Sequence, residues 1–402
     1  MKNLIVQKYG GTSVGSIEKI KKIAKNIVNI KNSGKKIVVV LSAMGDTTDI
    51  LINKAKSINP NPSKRELDML LSTGEQVSIA LMAMAIEALD ESVISLTGSQ
   101  CKILANEKLR ITKIDSDRIK KELNNNKIVI VAGFQGVTEN NDITTLGRGG
   151  SDTTAVALAN ALNAEKCEIY TDVDGVYTSD PRKVSDAKLL DKISYDEMLE
   201  LASLGAKVLH PRSVELARNY NIPLVVKPSH KKGNGTKIME VNEVEKVVVR
   251  GISLDENTAK ITVLEVPDKP GIAFKLFKAL AKSNIQIDMI IQNMNKDSVN
   301  DISFTIKRDY LEQSINLCKK IAKDLGAKDV VYDDTVAKLS VVGTGLAGNS
   351  EVASTFFEGL YEQDINIEMI STSEIKISCI IDRKKGVDAL QHLHNKFELA
   401  GY

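Results

Sequence analysis

The sequence has no tryptophan and few aromatic residues of any kind. Aromatic side chains make up 4% of its 402 residues, whereas proteins that bind single-stranded nucleic acids stack bases on aromatic side chains. An excess of positive charge is also missing, since 54 lysines and arginines face 52 aspartates and glutamates. Binding to nucleic-acid phosphates requires such an excess. We therefore expect no nucleic-acid partner.

Long apolar runs and paired cysteines are absent as well. No run of about 18 apolar residues occurs, so we expect no membrane-spanning segment. The three consecutive apolar residues before Gln7 are too few for the core of a secretory signal peptide. The cysteines are far apart and form no CxxC pair, which favours reduced thiols over a disulfide framework or a zinc site: Cys101, Cys167, Cys318 and Cys379. These features predict a cytoplasmic protein, and the chain length predicts about two or three domains.

The first 230 residues alternate between strand and helix signals. Continuous apolar runs at 37–41 and 128–132 are typical of buried parallel strands. Apolar residues spaced three and four apart from Val14 to Ile30 predict an amphipathic helix. The region 66–89 also favours a helix, and we interpret Ser72–Glu75 as a short polar break within it. The alternation predicts a three-layer α/β/α sandwich with a mostly parallel sheet.

The chain beyond residue 240 contains an internal repeat. Residues 285–290 (IQIDMI) recur as 365–370 (INIEMI) at an offset of 80. The surrounding pattern predicts two ferredoxin-like βαββαβ units. The second unit lacks its last strand, while 247–254 is a spare strand ahead of the first, so we expect the first unit to be inserted into the second. The predicted domains are 1–240, then 259–333, then 246–256 together with 335–402.

Two glycine-rich loops each join a predicted strand to a predicted helix. They are Lys8–Ser13 (KYGGTS) and Gly147–Thr154 (GRGGSDTT). Glycines let backbone N–H groups approach a ligand, and the start of a helix attracts an anion. Lys8 and Arg148 add a positive charge to each loop. If adjacent, the loops form a site for two anions, and ordinary turns with surface cations are the alternative.

Three further segments carry polar groups after predicted strands or within a helix. Ser42–Thr48 (SAMGDTT) suits contacts with a substrate or a phosphate, and an ordinary polar loop is its alternative. For Glu75 the alternative to a binding role is a solvated side chain. Thr171–Arg182 (TDVDGVYTSDPR) is rich in turn residues. A nucleotide base would lie against Tyr177 there, with a phosphate on Arg182.

These segments together resemble the aspartokinase family, whose catalytic domain has the amino-acid-kinase fold. The resemblance rests on six blocks in order: KYGGTSV, SAMGDTT, STGEQ, TTLGRGGSDTTA, TDVDGVYTSDPR and GAKVLHPRS. The C-terminal repeat resembles the paired ACT domains of that family. Some aspartokinases are fused to homoserine dehydrogenase, for which too few residues follow, so we expect a monofunctional chain.

The resemblance implies transfer of the γ-phosphoryl group of ATP to the side-chain carboxylate of L-aspartate, giving 4-aspartyl phosphate. This is the first step in the synthesis of lysine, threonine and methionine. It implies ATP and Mg²⁺ as cofactors, with Mg²⁺ held chiefly by phosphate oxygens. A carboxylate is already a nucleophile at neutral pH, so catalysis must come from positioning and charge neutralisation.

The resemblance also implies roles for single residues. Lys8 neutralises the transferring phosphoryl group, and Asp152 organises Lys8. Arg148 and Glu75 bind the α-carboxylate and the α-amino group of aspartate. The other substrate positions are Ser42, Thr48, Gly149, Gly150 and Ser151. The other ATP positions are Tyr9, Gly10, Gly11, Thr171, Asp172, Tyr177, Arg182 and Lys207.

The ACT resemblance implies feedback inhibition by lysine, threonine or both. The loop 267–273 precedes a predicted helix and is able to receive an α-carboxylate. Asp268 and Asp288 are candidates for holding an amino group, and ordinary helix capping is the alternative. The predicted effector positions are Asp268, Gly271, Ile272, Ala273, Asp288, Asn293, Asn366, Thr372 and Ser373. Exposed ACT sheet edges predict a homodimer or a dimer of dimers.

Two patterns in the sequence match motifs of other functions, dinucleotide binding and metal binding. Gly343–Gly348 fits the dinucleotide signature GxGxxG, but it lies inside the repeat and too few residues follow it for a dinucleotide-binding domain. His392 and His394 lie on a predicted helix, where residues two apart point in different directions. We interpret them as a surface pair and not as metal ligands, and we expect no protein-only metal site.

Two functional alternatives stay open. The first is another amino-acid kinase, acting on N-acetylglutamate, glutamate or UMP. Glu75 argues against an acetylated substrate, which has no ammonium group for it to bind. The second is a catalytically silent amino-acid sensor, against which the presence of Lys8, Arg148 and Asp152 argues.

Overall fold

A computed structural model describes residues 3–203, 208–241, 248–294, 299–346 and 348–400. The chain divides into two compact units. The N-terminal unit comprises residues 1–177 and 189–242, and the C-terminal unit comprises residues 178–188 and 243–402.

An eight-stranded sheet forms the centre of the described N-terminal unit. Its strands in spatial order are β10 (Lys192–Ile193), β12 (Thr236–Ile238), β11 (Leu224–Pro228), β9 (Lys166–Thr171), β1 (Leu4–Tyr9), β2 (Lys36–Leu41), β6 (Ile128–Ala132) and β3 (Val93–Leu96). Neighbouring strands are parallel except β11 and β12. A smaller sheet has the order β5 (Ile111–Ile114), β4 (Ile103–Ala105), β7 (Gln135–Val137) and β8 (Ile143–Thr145). The expected mostly parallel sheet is confirmed.

Helices cover both faces of the large sheet. They are α1 (Ile17–Asn32), α2 (Thr47–Ile58), α3 (Lys64–Glu87), α4 (Asp117–Asn124), α5 (Gly150–Ala161), α6 (Tyr195–Ser203) and α7 (Pro211–Tyr220). On one face, α1 and α3 enclose alternate residues of β2 and β6 in a buried apolar cluster. On the other face, α5 packs against β1, β2 and β9. Because both faces are buried, β2 and β6 read as continuous apolar runs.

The polar segment within α3 does not break the helix, so the expected interruption at Ser72–Glu75 is wrong. The helix is continuous from Lys64 to Glu87, and Gly74 lies on its buried side. A Cβ at Gly74 would lie 2.9 Å from the Cβ of Ala43. The glycine therefore allows α3 to pack closely on the loop after β2. By length and composition α3 is able to cross a membrane, but Met82 lies in the apolar core of this unit.

Each repeat of the C-terminal unit forms an antiparallel four-stranded sheet with helices. The first contains β14 (Thr258–Pro267), α8 (Ile272–Lys282), β15 (Ile287–Met294), β16 (Val299–Lys307), α9 (Leu311–Leu325) and β17 (Asp329–Asp333), in the sheet order β15-β16-β14-β17. The second contains β13 (Val248–Asp255), β18 (Val336–Thr344), α10 (Ser350–Glu362), β19 (Met369–Ser373), β20 (Lys376–Asp382) and α11 (Gly386–Lys396), in the order β13-β18-β20-β19. Short 3₁₀ turns at 308–310 and 383–385 precede α9 and α11. The strand ahead of the first repeat thus pairs in the sheet of the second, as the sequence predicts, while the domain bounds given above stay a prediction.

The two repeats contact each other through reciprocal ion pairs. Lys260 on β14 pairs with Glu368, and Lys338 on β18 pairs with Asp288. Asp288 and Glu368 are equivalent, since 80 residues separate them. A small apolar cluster joins the same strands: Met289, Val336, Met369 and Ile380.

Residues 178–188 lie in the C-terminal unit, although the sequence predicts them within the N-terminal domain. The Oγ1 of Thr178 lies 2.9 Å from Nε2 of His394, and its carbonyl accepts a 2.8 Å hydrogen bond from the N–H of Ile252. His394 is fully buried, so the expectation of a surface position is wrong for it. Burial lowers its pKa. His392 is partly exposed and pairs with Glu362.

Candidate active site and effector cavities

The loops that follow β1 and β2 meet at the carboxyl edge of the sheet. The N–H of Gly45 donates to the carbonyl of Gly11 at 3.0 Å, and the N–H of Ser42 donates to the carbonyl of Tyr9 at 3.2 Å. A Cβ at Gly11 would lie only 2.7 Å from the carbonyl oxygen of Ala43. Glycine at position 11 therefore permits the two loops to touch.

Lys8 and Asp152 form an ion pair at this edge. The Nζ of Lys8 lies 2.6 Å from Oδ1 of Asp152, and the two side chains are 12% and 13% exposed. Lys8 lies near the end of β1, and Asp152 lies in the first turn of α5. A Cβ at Gly10 would lie 3.5 Å from the Lys8 Nζ. The ammonium group and the first glycine loop are thus neighbours, and together they suit a phosphate.

The second glycine loop places the start of α5 at the same edge. Gly149 precedes the helix with a φ of 70°, in the left-handed region that favours glycine. A Cβ there would lie 2.3 Å from Cγ of His210. Gly150 begins the helix and is buried. The loop conformation therefore depends on glycine at position 149.

The remaining predicted substrate residues lie around the ends of β2 and β6 and in the loop before α5. Ser151 is buried, and a Cβ at Gly133, just after β6, would lie 2.8 Å from its Oγ. Ser42 directly follows β2, and Thr48 lies in the first turn of α2; both are half-buried. Arg148 is exposed and forms no hydrogen bond or ion pair with another described residue. Its guanidinium group is thus available to a ligand carboxylate.

Glu75 is buried on α3 beside the loop after β2. Its Oε1 accepts a 3.1 Å hydrogen bond from the N–H of Ala43, and the residue is 2% exposed. Its Oε2 has no hydrogen-bond partner within the described residues. Burial raises the pKa of Glu75 to about 7. A solvated side chain is therefore excluded, and a ligand ammonium group is a partner that would favour the ionised form.

The predicted nucleotide residues at the end of β9 form polar contacts of their own. The hydroxyl of Thr171 donates to Oδ1 of Asp172 at 3.0 Å. The hydroxyl of Tyr177 donates to Asp174 at 3.1 Å, and this contact contributes, after burial, to a raised pKa of Tyr177. Lys207 lies outside the described residues.

Arg182 and Tyr9, two further predicted ATP positions, lie in different surroundings, and their contact with ATP stays a prediction. Arg182 lies in the C-terminal unit, is exposed, and binds the carboxylate of Asp180 at 2.8 and 2.9 Å. The Tyr9 ring is buried and stacks on Tyr170, with ring centroids 4.5 Å apart. Tyr9 therefore offers its backbone, and not its ring, to the glycine loop.

A cavity of about 100 Å³ lies at the start of α8 in the first repeat. Four predicted effector residues line it: Asp268, Gly271, Ile272 and Ala273. Gln292 and Asn300 also line it, and the Nδ2 of Asn300 donates to Asp268 at 3.0 Å. Asp288 and Asn293 do not line it, and Asp288 pairs with Lys338 instead.

A cavity of about 350 Å³ lies at the start of α10 in the second repeat. The predicted residues Thr372 and Ser373 line it together with Asn349 and Ser350. None of the described residues that line it is charged, whereas the first cavity has Asp268 and Lys269. Asn366 lines neither cavity.

Sequence reasoning missed several residues of these sites. Gln292 is the counterpart of Thr372 at the 80-residue offset, so the repeat itself contained the signal for it. Asn349 caps α10, with its side chain accepting from two backbone N–H groups. Ala43 contributes only its backbone N–H to the site, and Gly133 contributes only the space that its missing side chain leaves. The side-chain type at these positions therefore does not predict their role.

Comparison with known proteins is consistent with this geometry. Residues 3–228 match the amino acid kinase family, and residues 264–320 and 339–397 match the ACT domain. An aspartate kinase from Pseudomonas fluorescens is 50% identical over 403 residues, covering 98% of each chain. The crystal structure of aspartate kinase from Synechocystis has a TM-score of 0.56 and 47% identity, covering 98% of this chain and 69% of that one. E. coli aspartokinase III in complex with lysine and aspartate has a TM-score of 0.75 and 25% identity, covering 98% of this chain and all of that one.

The chain therefore belongs to the amino acid kinase family, whose members transfer phosphoryl groups. Within that family it belongs to the aspartate kinases, since its relatives of that name match over nearly their whole length. The fold expected from the sequence, a kinase domain followed by ACT domains, is confirmed.

Proposed function

We propose that the N-terminal site transfers the γ-phosphoryl group of ATP to the side-chain carboxylate of L-aspartate. The observation that carries this proposal is the Lys8–Asp152 ion pair beside the glycine loop. Lys8 would neutralise charge on the phosphoryl group, and backbone N–H groups at Gly10 and Gly11 would bind the phosphates. Asp152 would hold the Lys8 ammonium in place. The attacking carboxylate needs no base.

Glu75 and Arg148 form the proposed recognition pair for the α-amino and α-carboxylate groups of aspartate. Glu75 offers an unpartnered buried oxygen, and Arg148 offers a guanidinium group without a partner among the described residues. The other proposed substrate positions are Ser42, Thr48, Gly149, Gly150 and Ser151. An acetylated substrate would leave Glu75 buried without a cation, which disfavours an N-acetylamino-acid kinase.

ATP is the proposed phosphoryl donor, with the motif Thr171–Arg182 and Lys207 on the nucleotide side. Mg²⁺ would enter with ATP and be held by phosphate oxygens, where it would neutralise their charge. The described residues contain no group of three His, Cys, Asp or Glu side chains able to hold a metal ion.

The ACT cavities are the proposed effector sites. Asp268 gives the first cavity a carboxylate suited to a second ammonium group, so we assign lysine to it. The hydroxyl and amide groups of the second cavity suit a neutral polar amino acid such as threonine. Binding would shift the enzyme between two states with different activity.

We further propose that the enzyme is a cytoplasmic homodimer or dimer of dimers. In the two ACT sheets, β15 and β19 are edge strands, and each exposes an isoleucine at an equivalent position. Ile290 is 52% exposed and Ile370 is 45% exposed. Pairing at these edges would cover both side chains. Sedimentation of the Ile290→Lys variant tests this, since a smaller species is expected.

ADP release by the purified chain with Mg-ATP, with and without L-aspartate, tests the function. Release is expected only with aspartate, and lysine or threonine is expected to suppress it. No aspartate-dependent release, combined with a lysine-induced rise in melting temperature, would favour a silent sensor. Release that depends on glutamate instead would indicate another amino-acid kinase.

A further inference from the structure

A cavity of about 530 Å³ lies in the N-terminal unit between α1 and the segment that follows β11. Its floor includes Tyr9 and Tyr170, its wall is the exposed side of α1, and its rim is 228–233. Cavities of roughly 300–1,000 Å³ are typical of small-molecule sites.

This cavity lies on the opposite face of the sheet from the Lys8–Asp152 pair. Successive side chains of a strand point to opposite faces, so Lys8 and Tyr9 on β1 diverge. Lys8 reaches Asp152 on α5, whereas Tyr9 packs in the apolar cluster with α1 residues such as Ile23. The cavity is therefore separate from the proposed phosphoryl-transfer site.

The cavity lining is positively charged. Among the described residues, the lining includes five lysines and a histidine but no aspartate or glutamate: Lys22, Lys25, Lys227, Lys231, Lys232 and His230. A lining of one charge sign with low-dielectric walls raises the local concentration of ions of opposite sign.

Carboxylates outside the lining neutralise two of these lysines. Lys227 lies 2.8 Å from Glu168, and Lys231 lies 2.9 Å from Asp174. Burial would raise the pKa of Glu168, but its lysine and glutamine partners lower it to about 2, so Glu168 stays ionised.

The other three lysines have no carboxylate partner among the described residues. The Nζ of Lys22 donates to the neutral carbonyl of His230 at 2.6 Å. Lys25 and Lys232 form no hydrogen bond or ion pair with another described residue. Three uncompensated ammonium groups around one cavity repel each other unless an anion lies between them.

We propose that this cavity binds a small organic phosphate. The phosphate would lie near Lys22, Lys25 and Lys232, because ammonium groups act as point charges suited to phosphate. The carbon part would lie against the apolar lining residues Tyr9, Ile23 and Ile30. Each part of the lining thus has a complementary part of the ligand.

The cavity is tied to the first glycine loop. The hydroxyl of Ser13 donates to that of Ser229 at 2.9 Å, which joins the loop to the cavity rim. The backbone N–H of Ser229 donates to the carbonyl of Thr171 at 2.8 Å. A bound phosphate would therefore contact a segment that itself contacts the loop after β1.

Lysine labelling with pyridoxal 5′-phosphate, itself an organic phosphate, tests the proposal. Its aldehyde forms an imine with a nearby amine, which borohydride reduction fixes for peptide mapping. The full chain is labelled in the presence of a saturating non-hydrolysable ATP analogue, which protects Lys8. Labelling of Lys22, Lys25 and Lys232 is expected to exceed that of the exposed Lys54 and Lys56 on α2 about tenfold, and inorganic pyrophosphate should suppress it.

Labelling that follows exposure alone, without suppression by pyrophosphate, would overturn the proposal. Suppression by the ATP analogue would also overturn it, because the cavity would then be part of the nucleotide site.

Calorimetry with pyridoxine 5′-phosphate, which lacks the aldehyde, gives an independent check. The Lys25→Ala/Lys232→Ala variant should bind it roughly fivefold more weakly, and the matched Lys54→Ala/Lys56→Ala variant should not. Equal affinity in both variants would count against the site.

Discussion

The proposed catalytic site and the proposed effector cavities are built in different ways. In the N-terminal unit, Lys8, Asp152 and Glu75 are largely buried, and each has a partner fixed at a strand end or on a helix. In the C-terminal unit, exposed residues line the cavities, such as Asp268 in the loop after β14 and Thr372 on the edge strand β19. Phosphoryl transfer depends on fixed geometry, whereas an effector cavity only has to discriminate between two states.

This contrast predicts that the two sets of residues can be separated experimentally. Substitutions in the catalytic site should change turnover and leave effector binding intact. Substitutions in the cavities should change the response to effectors and leave basal turnover intact.

The largest effect is expected for Lys8→Ala. Loss of the ammonium group removes charge neutralisation at the phosphoryl group, so kcat should fall about 10³-fold. The control is Lys36→Ala, which removes a half-buried lysine at the start of β2 whose Nζ donates to the side chain of Asn124. Lysine should still raise the melting temperature of the Lys8→Ala protein. A kcat within a few-fold of the parent value would contradict the mechanism.

Glu75→Gln should lower kcat/KM for aspartate and abolish the dependence of kcat/KM on pH. With a pKa of about 7, Glu75 of the free enzyme becomes ionised as the pH rises from 6 to 8, so kcat/KM for aspartate should rise over that range. The variant should have a flat profile and a kcat/KM lower by roughly 10- to 100-fold at pH 8.

The same substitution should have the opposite effect on stability. The folded pKa of Glu75 lies above its unfolded value of 4.5. The unfolded chain therefore ionises first, and wild-type stability falls as the pH rises from 4.5 past 7. Glu75→Gln removes that loss, worth roughly 3 kcal/mol at most. A thermal shift at pH 8 that favours the wild type would contradict the assigned pKa.

The sequence predicts those features that depend on residue type and spacing. Fully buried strands, the two glycine loops and the 80-residue repeat all leave a local pattern, and the structure contains each of them. The pairing of β13 with β18 followed from one missing strand and one spare strand. Such inferences succeed because each fold element needs a particular pattern of apolar and small residues.

Features that depend on tertiary contacts escaped prediction. Ser72–Glu75 looks like a break because its residues are polar or glycine, yet Ser72, Gly74 and Glu75 are buried, and α3 packs closely on Ala43 at Gly74. His394 looks like a surface residue because its partner Thr178 is 216 residues away. In both cases a neighbour distant in sequence determines the environment of the residue. A single sequence does not show which distant residues are in contact, so it does not reveal that environment.

A smaller effect, on local stability, is expected when the two reciprocal ion pairs between the repeats are removed one at a time. The side chain of Lys338 is 5% exposed, so Asp288→Asn should leave a buried ammonium group without its partner. The free energy of opening near β18 should fall by about 1–3 kcal/mol. In the equivalent pair the side chains of Lys260 and Glu368 are 22% and 30% exposed, so Glu368→Gln should cost less than about 1 kcal/mol.

Hydrogen exchange of the β18 amides measures this difference, because it reports local opening without requiring two-state unfolding of the whole chain. Equal losses of protection in the two variants would mean that burial does not distinguish the pairs. Turnover of both variants without effector should match the parent enzyme, since neither residue is part of the proposed catalytic site.

The smallest effect is expected for Asp268→Asn. If the Asp268 carboxylate holds the second ammonium group of lysine, the variant should need roughly three to ten times more lysine for half-inhibition, because the ion pair is exposed to solvent. Basal kcat should not change. Glu312→Gln on α9 removes an equally exposed carboxylate away from the cavity and should leave inhibition unaltered. If Thr372→Val weakens lysine inhibition and Asp268→Asn does not, lysine binds in the second cavity. The assignment of effectors to the two repeats would then be reversed.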